Sequence, residues 1–97
     1  MANEIVKENN AYVIRSEEGE KIAEITYSPA SEDFVIADHT FVDESLRGQG
    51  IAGKLLDHLV AEMSKEGKQI KALCPYVVRK FQENPEKYDA INFDKKD

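Results

Sequence analysis

Arg47-Gly48-Gln49-Gly50-Ile51-Ala52 is the stretch on which the reading of this chain turns. Before it, a run of β-branched and aromatic residues from Phe34 to about Val42 reads as a strand. After it, apolar residues recur at helical spacing from about Gly50 to Glu66. A glycine-rich turn at a helix start presents unpaired backbone N–H groups and the positive end of the helix dipole. Such a turn is a seat for phosphate.

Glycine-rich phosphate loops belong to several nucleotide-binding classes, and two can be set against these residues. Gly48-Gln49-Gly50-Ile51-Ala52-Gly53 is a literal G-x-G-x-x-G, and Gly48 to Lys54 matches the first part of a P-loop. A P-loop needs Ser or Thr after its lysine to hold Mg²⁺, and Leu55 stands there. A dinucleotide loop needs a carboxylate about 20 positions on to hold the ribose. That region is Leu73-Cys74-Pro75, with no acid. A dinucleotide loop also follows its strand at once, whereas Asp43-Glu44-Ser45-Leu46-Arg47 intervenes here.

The pattern that survives, Arg-x-x-Gly-x-Ala after a strand, resembles the pyrophosphate loop of the GNAT superfamily, the acetyl-CoA-dependent N-acetyltransferases. The resemblance extends to His39-Thr40-Phe41-Val42, to Leu73-Cys74-Pro75-Tyr76-Val77 and to Asn84-Pro85-Glu86-Lys87-Tyr88. Together these are similar to the very small, single-domain branch of that superfamily, over about Tyr12 to Tyr88. The resemblance implies a compact α/β (α+β) fold, an antiparallel meander followed by a strand–helix–strand–helix unit with two splayed parallel strands. It implies acetyl-CoA as cosubstrate and an amine-bearing small molecule, peptide or protein as acceptor. Pantetheine would lie between Phe34–Val42 and Lys68–Leu73. Phe41 and Val42 would offer it backbone partners, and Arg47, Gly48, Gln49, Gly50, Ile51, Ala52 and Gly53 would hold the pyrophosphate. Two family regions are missing: a helical pair before the hairpin at Glu17 to Glu20, and a long hairpin after Phe93. In larger relatives these help to shape the acceptor pocket.

Composition sets the outer bounds. At 97 residues, with 41% hydrophobic and 33% charged residues, the chain reads as one folded domain spanning residues 1–97. Its single cysteine excludes an internal disulfide. The N-terminus lacks a basic stretch followed by an apolar run, and no stretch approaches the roughly 20 apolar residues that span a bilayer. A cytoplasmic location without membrane attachment is the expectation. A net charge of −6 argues against general nucleic-acid binding, which needs a basic surface. Against that acidic background Arg47 and Lys54 flank the loop, and Arg79 and Lys80 lie on the last helix, where a polyanionic cofactor would need them. A cationic amine would be drawn to the remaining acidic surface.

Along the chain, Ile5-Val6 is a candidate short strand. Ala11–Ser16 and Lys21–Ser28 alternate as strands joined by a turn at Glu18-Gly19, and Pro29 to Asp33 form a second turn. Short connections make these an antiparallel meander. In the following helix Ala52, Leu55, Leu56, Leu59 and Met63 form the apolar stripe, with Gly67 as a C-terminal cap. Lys68 to Leu73 must return to the sheet across a helix, so it should run parallel to the strand ending at Val42. Pro75 suits the first turn of a second helix, which Pro85 ends, and the tail from Asp94 is expected to fray.

Acetyl transfer to an amine needs a neutral nucleophile, polarisation of the thioester and a proton for the departing thiolate. Cys74 precedes a helix start, where the dipole favours thiolate and so reactivity. It reads either as a nucleophile or proton donor, or as a small buried residue. His39 has the chemistry to deprotonate an ammonium or to activate Cys74, and equally that of a structural histidine. His58, among charged residues on a helix flank, reads as solvated surface. Tyr76 is a candidate proton donor, although an aromatic in a first helical turn often packs. The tyrosine that many superfamily enzymes carry further along this helix is replaced, by spacing, with Phe81, which raises the weight on Cys74. No His/Cys cluster suggests a metal. Two classes of function remain: an acetyl-CoA-dependent N-acetyltransferase, and a coenzyme A-binding sensor or interaction module without catalysis.

Overall fold

The computed structural model describes residues 4–95. Five strands form one sheet in sequence order: β1 (Ile5–Lys7), β2 (Ala11–Arg15), β3 (Lys21–Pro29), β4 (Phe34–Val42) and β5 (Gln69–Ala72). The first three pairings are antiparallel and β4–β5 is parallel, as a helical crossover between them requires. That crossover is α1 (Ile51–Lys65); α2 (Pro75–Glu83) follows β5, and a short α3 (Pro85–Tyr88) completes the helical layer. This is the expected meander followed by a strand–helix–strand–helix unit.

One face of the sheet carries the core. Tyr12, Ile14, Ala23, Ile25, Tyr27, Val35, Ala37 and Ile70 are buried against Leu55, Leu56, Leu59 and Met63 of α1 and Val77 and Phe81 of α2. The α1 stripe is the expected one except at its first member: Ile51 is buried and Ala52 only half-buried. The helix closes where the Lys68 N–H donates to the Met63 carbonyl at 2.9 Å. Across the layer, the Tyr88 hydroxyl donates to Asp57 on α1 at 2.8 Å and so ties α3 to α1.

Three local expectations are corrected. Pro85 does not merely end α2; it opens α3, since a missing N–H costs nothing in a first helical turn. Asp94 is not frayed, because it holds Lys71 at 3.0 Å, and only residues 96 and 97 of the expected loose tail lie outside the described residues. The segment before it lies along the outer edge of β5, where the Ile70 N–H donates to the Ile91 carbonyl at 2.7 Å and Asn92 makes a parallel bridge to Ile70. His58 is half-buried, its ring 4.8 Å edge-on from Tyr12.

The feature that matters for function lies in β4. Thr26 pairs with His39 while the next residue, Tyr27, pairs with Ala37, so Asp38 is an extra residue in the ladder. Such a bulge bends its strand and ends regular pairing. On the other side of β4, pairing to β5 runs from Phe34–Gln69 to Ala37–Ala72 and stops there. The two parallel strands part after Ala37 and Ala72, so the expected splay begins in the middle of β4.

A cleft between parted strands

At the apex of the parting, the N–H groups of Leu73 and Cys74 both donate to the Ala37 carbonyl, at 3.1 and 3.0 Å. From there β4 runs on to Val42, while the chain beyond β5 turns into α2 with Cys74 as its N-cap. Among the described residues no strand replaces β5 along this half of β4. The Asp43 N–H donates to the Ile22 carbonyl at 2.8 Å, so residues 43, 41 and 39 turn their backbone groups toward β3. Thr40 and Val42, alternating with them, turn their N–H and C=O groups into the gap.

The bulge also sets the faces. Beyond it, Thr40 and Val42 join the core face opposite Ile25 and Ala23, and His39 and Phe41 stand on the other face opposite Thr26 and Glu24. Cys74 is buried with its sulfur 3.5 Å from the Thr40 hydroxyl, at the apex on the core face. The structure therefore brings Cys74 and Thr40 together and leaves His39, exposed, on the far side of the same strand. Thr40 was not singled out by residue chemistry. Its signal in the sequence is a break in alternation, from Val35 and Ala37 to Thr40 and Val42, across the polar pair Asp38-His39.

Beyond Val42 the chain enters the glycine-rich loop through a tight turn. Asp43 accepts from the Ser45 N–H at 3.0 Å and the Ser45 hydroxyl at 2.6 Å, and these bonds hold its carboxyl below the usual carboxylate range. Gly48 (φ +84°) and Gly50 (φ +73°) take left-handed backbone that side-chain-bearing residues rarely adopt. Gly50 is the N-cap of α1 and has no side chain to bond the first turn. The first intrahelical bond runs from the Lys54 N–H to Gly50, which leaves the N–H groups of Ile51, Ala52 and Gly53 for a ligand.

Val42, Leu46, Arg47, Gly48, Gly50 to Gly53 and Tyr76 line a cleft of about 230 Å³. Gln49 is exposed in the turn beside it. Tyr76 forms the wall facing α1; a Cβ added at Gly53 would come within 3.7 Å of its hydroxyl. Burial first, then the Asp57 charge, pushes this hydroxyl up, so it remains a proton-bearing donor at neutral pH. Phe81, where a tyrosine acid would stand, is buried against Tyr88 with ring centres 5.1 Å apart.

The charges around the cleft differ from those elsewhere. Arg15, Lys21, Lys65, Lys68, Lys71, Arg79 and Lys87 each hold a carboxylate. Among the described residues Arg47 and Lys54, flanking the loop, form no ion pair. Neither does Lys80, whose ammonium lies 5.7 Å from the Tyr76 ring centre. Lys7 is unpaired too, on the opposite edge of the sheet. A protein of net charge −6 thus keeps three free cations around one cleft. Among the described residues no three His, Cys, Asp or Glu side chains converge as metal ligands, and no helix is long and apolar enough to cross a membrane.

Comparison with known proteins agrees with this geometry. The solution structure of a GCN5-like protein from Staphylococcus aureus is 31% identical, with a TM-score of 0.76 over 96% of this chain and 91% of that one. A GNAT-family N-acetyltransferase of Escherichia coli in complex with CoA is 26% identical, with a TM-score of 0.63 over 73% of this chain. An acetyltransferase of Bacillus cereus is 26% identical, with a TM-score of 0.58 over 71% of this chain. The chain spans 43% and 46% of the lengths of these last two. No curated protein matches. Residues 11–91 match the sequence profile of the GCN5-related N-acetyl-transferase family, and the chain belongs to that family.

Proposed function

We propose that the protein binds acetyl-CoA in the cleft between β4 and α2 and transfers its acetyl group to a primary amine. The observation that carries this reading is the parting of β4 from β5, which leaves Thr40 and Val42 unpaired beside a loop of free N–H groups and unpaired cations. A thioester lying along β4 would bond to that strand as a substitute for β5. Its pyrophosphate would sit on Gly48 to Gly53 with Arg47, and its reactive carbon would reach the apex beside Cys74. The CoA complex of the E. coli relative supports this choice of cosubstrate.

The chemistry we infer is direct attack. The amine nitrogen's lone pair forms a bond to the thioester carbon, the C–S bond breaks, and the electron pair leaves on sulfur. His39 stands on the face opposite Cys74, where it can take the proton from the incoming amine but cannot activate the thiol. Cys74 supplies a proton to the departing thiolate, and Tyr76 is the second donor along the cleft. Among the described residues the side chain bonded to the Cys74 sulfur is the Thr40 hydroxyl and not a base, which is why direct attack is preferred over an acetyl-cysteine route. A cytoplasmic setting, where acetyl-CoA is available, fits this role.

The test is release of free CoA from acetyl-CoA across a panel of primary amines, with mass spectrometry of the protein. Cys74→Ala should lower kcat by about 10²-fold, the lower end for losing a positioned acid, while sparing acetyl-CoA affinity. An acetyl adduct on Cys74 that forms and discharges to amine at the turnover rate would instead establish the covalent route. Tight acetyl-CoA binding with only background hydrolysis across every amine would favour a sensor or binding module.

A further inference from the structure

The sheet leaves backbone groups unpaired at a second place, the outer edge of β5. In the parallel ladder the Leu73 N–H bonds to Ala37, so alternate residues face β4 and those between them face outward. Ile70 and Ala72 are the outward pair. The Ile70 N–H is taken by the Ile91 carbonyl, whereas Ala72 has no outward backbone partner among the described residues. Its N–H and C=O open onto a cavity of about 260 Å³ lined by Ala72, Val78, Phe81, Gln82, Asn92 and Asp94.

This cavity is separate from the cleft. At 3.6 residues per turn Val78 lies about 200° around α2 from Tyr76, and Gln82 about 240°. The helix that walls the cleft with Tyr76 therefore turns its other flank to the cavity. Asn92 is only 9% exposed, the one buried amide or charged side chain among the described residues. Its Oδ1 accepts from the Asp94 N–H at 3.1 Å, and its Nδ2 has no partner among the described residues. A buried donor in that state gains from any acceptor that reaches it. Asp94 is the one ionisable group in the lining, and Lys71 engages both its oxygens, at 3.0 and 3.3 Å. Ala72, Val78 and Phe81 supply apolar walls.

We propose that this cavity is a second ligand site and that it takes a small uncharged carboxamide. The ligand carbonyl accepts from Asn92 Nδ2, its N–H donates to the Ala72 carbonyl, and its apolar part rests on Val78 and Phe81. A carboxylate would meet Asp94, and an ammonium would have to displace Lys71 from it. Either ion would give up its water without a free counter-charge. The proposal stands apart from the acetyltransferase reading.

The experiment is an NMR titration with benzamide, acetophenone, benzoate and benzylamine, probes of similar size, with and without saturating CoA. The amides of Ala72, Val78 and Asp94 and the Asn92 side-chain amide report the cavity; those of Arg47 to Gly53 report the cleft. Benzamide should shift the cavity signals saturably and leave the cleft signals in place, with or without CoA. Acetophenone keeps the carbonyl and lacks the N–H, so it should bind about three- to tenfold more weakly, the value of one neutral hydrogen bond. Benzoate and benzylamine should bind more weakly still. Asn92→Asp keeps the acceptor for the Asp94 N–H but replaces the free donor, and should weaken benzamide by a similar factor. Val78→Phe, at a half-buried position, should fill the cavity and abolish the response, and it decides the matter alone if Asn92→Asp fails to fold. Either ion binding as tightly as benzamide, shifts that stay linear in benzamide, or unchanged affinity in Val78→Phe overturns the proposal. So do shifts at the loop amides that vanish with CoA, which would place benzamide in the cleft.

Discussion

The two halves of β4 belong to one strand and do different work. From Phe34 to Ala37 it is paired on both sides, and Val35 and Ala37 are buried in the core. From Asp38 to Val42 it is paired on one side only; Thr40 and Val42 keep backbone groups for something else, while His39 and Phe41 stand in solvent. The first half satisfies itself and holds the fold. The second half is left incomplete by a neighbour that departs, and in the function we propose that incompleteness is the binding capacity. Substitutions around the first half should register as stability, and those around the second as affinity.

The sharpest way to break this comparison is Ile70→Ala. Ile70 is fully buried opposite Val35, and truncating such a side chain typically costs about 2–5 kcal/mol. Urea unfolding should show that loss, while the folded protein keeps its affinity for acetyl-CoA. A large loss of affinity at full folding would mean that the two halves are not separable. Next in size, Arg47→Ala should weaken acetyl-CoA binding by about 1.5–3 kcal/mol, the range for hydrogen bonds to charged groups. Its unfolding midpoint should not move, since Arg47 holds no carboxylate. Calorimetry and denaturation on one sample check both statements.

Gly50→Val should cost about 1–2 kcal/mol through backbone strain alone, because an added Cβ meets no atom within 4 Å. A thermal melt measures it, and an undiminished Tm would show that the loop relaxes freely. The smallest effect concerns Asp43, which links the open half of β4 to the loop. Its bonds to Ser45 lower its pKa below the ordinary 3.8. Their contribution is complete above that ordinary value and fades as pH falls through the lowered one. The Ser45 amide should therefore titrate with a midpoint under 3.8 and lose that step in Asp43→Asn; a midpoint at or above 3.8 would contradict the assignment.

Much of this was legible in the sequence because it depends on local pattern. The meander follows from alternation and short turns, α1 from its apolar stripe, and the loop from Arg47 to Ala52 set between strand and helix. The point of parting was not legible at that level, because a bulge is one residue of mismatch between two strands, and mismatch belongs to the pair. Thr40 escaped notice for the same reason: its importance comes from Cys74, far away in sequence. Pairs such as Lys71 with Asp94, and His58 against Tyr12, likewise join positions that no local period connects.

The bulge also means that β4 counts differently on its two sides. Up to Ala37 odd-numbered residues face the core; from Thr40 on, even-numbered ones do. Removing Asp38 would bring the strand back into a single frame, with Ala37 followed directly by His39. The ladder to β3 could then run uninterrupted, while β5 would still leave the sheet at Ala72. One inserted residue thus decides which side chains the open half of β4 shows to each face, so the character of such a slot can turn on a single codon gained or lost rather than on any change of side chain.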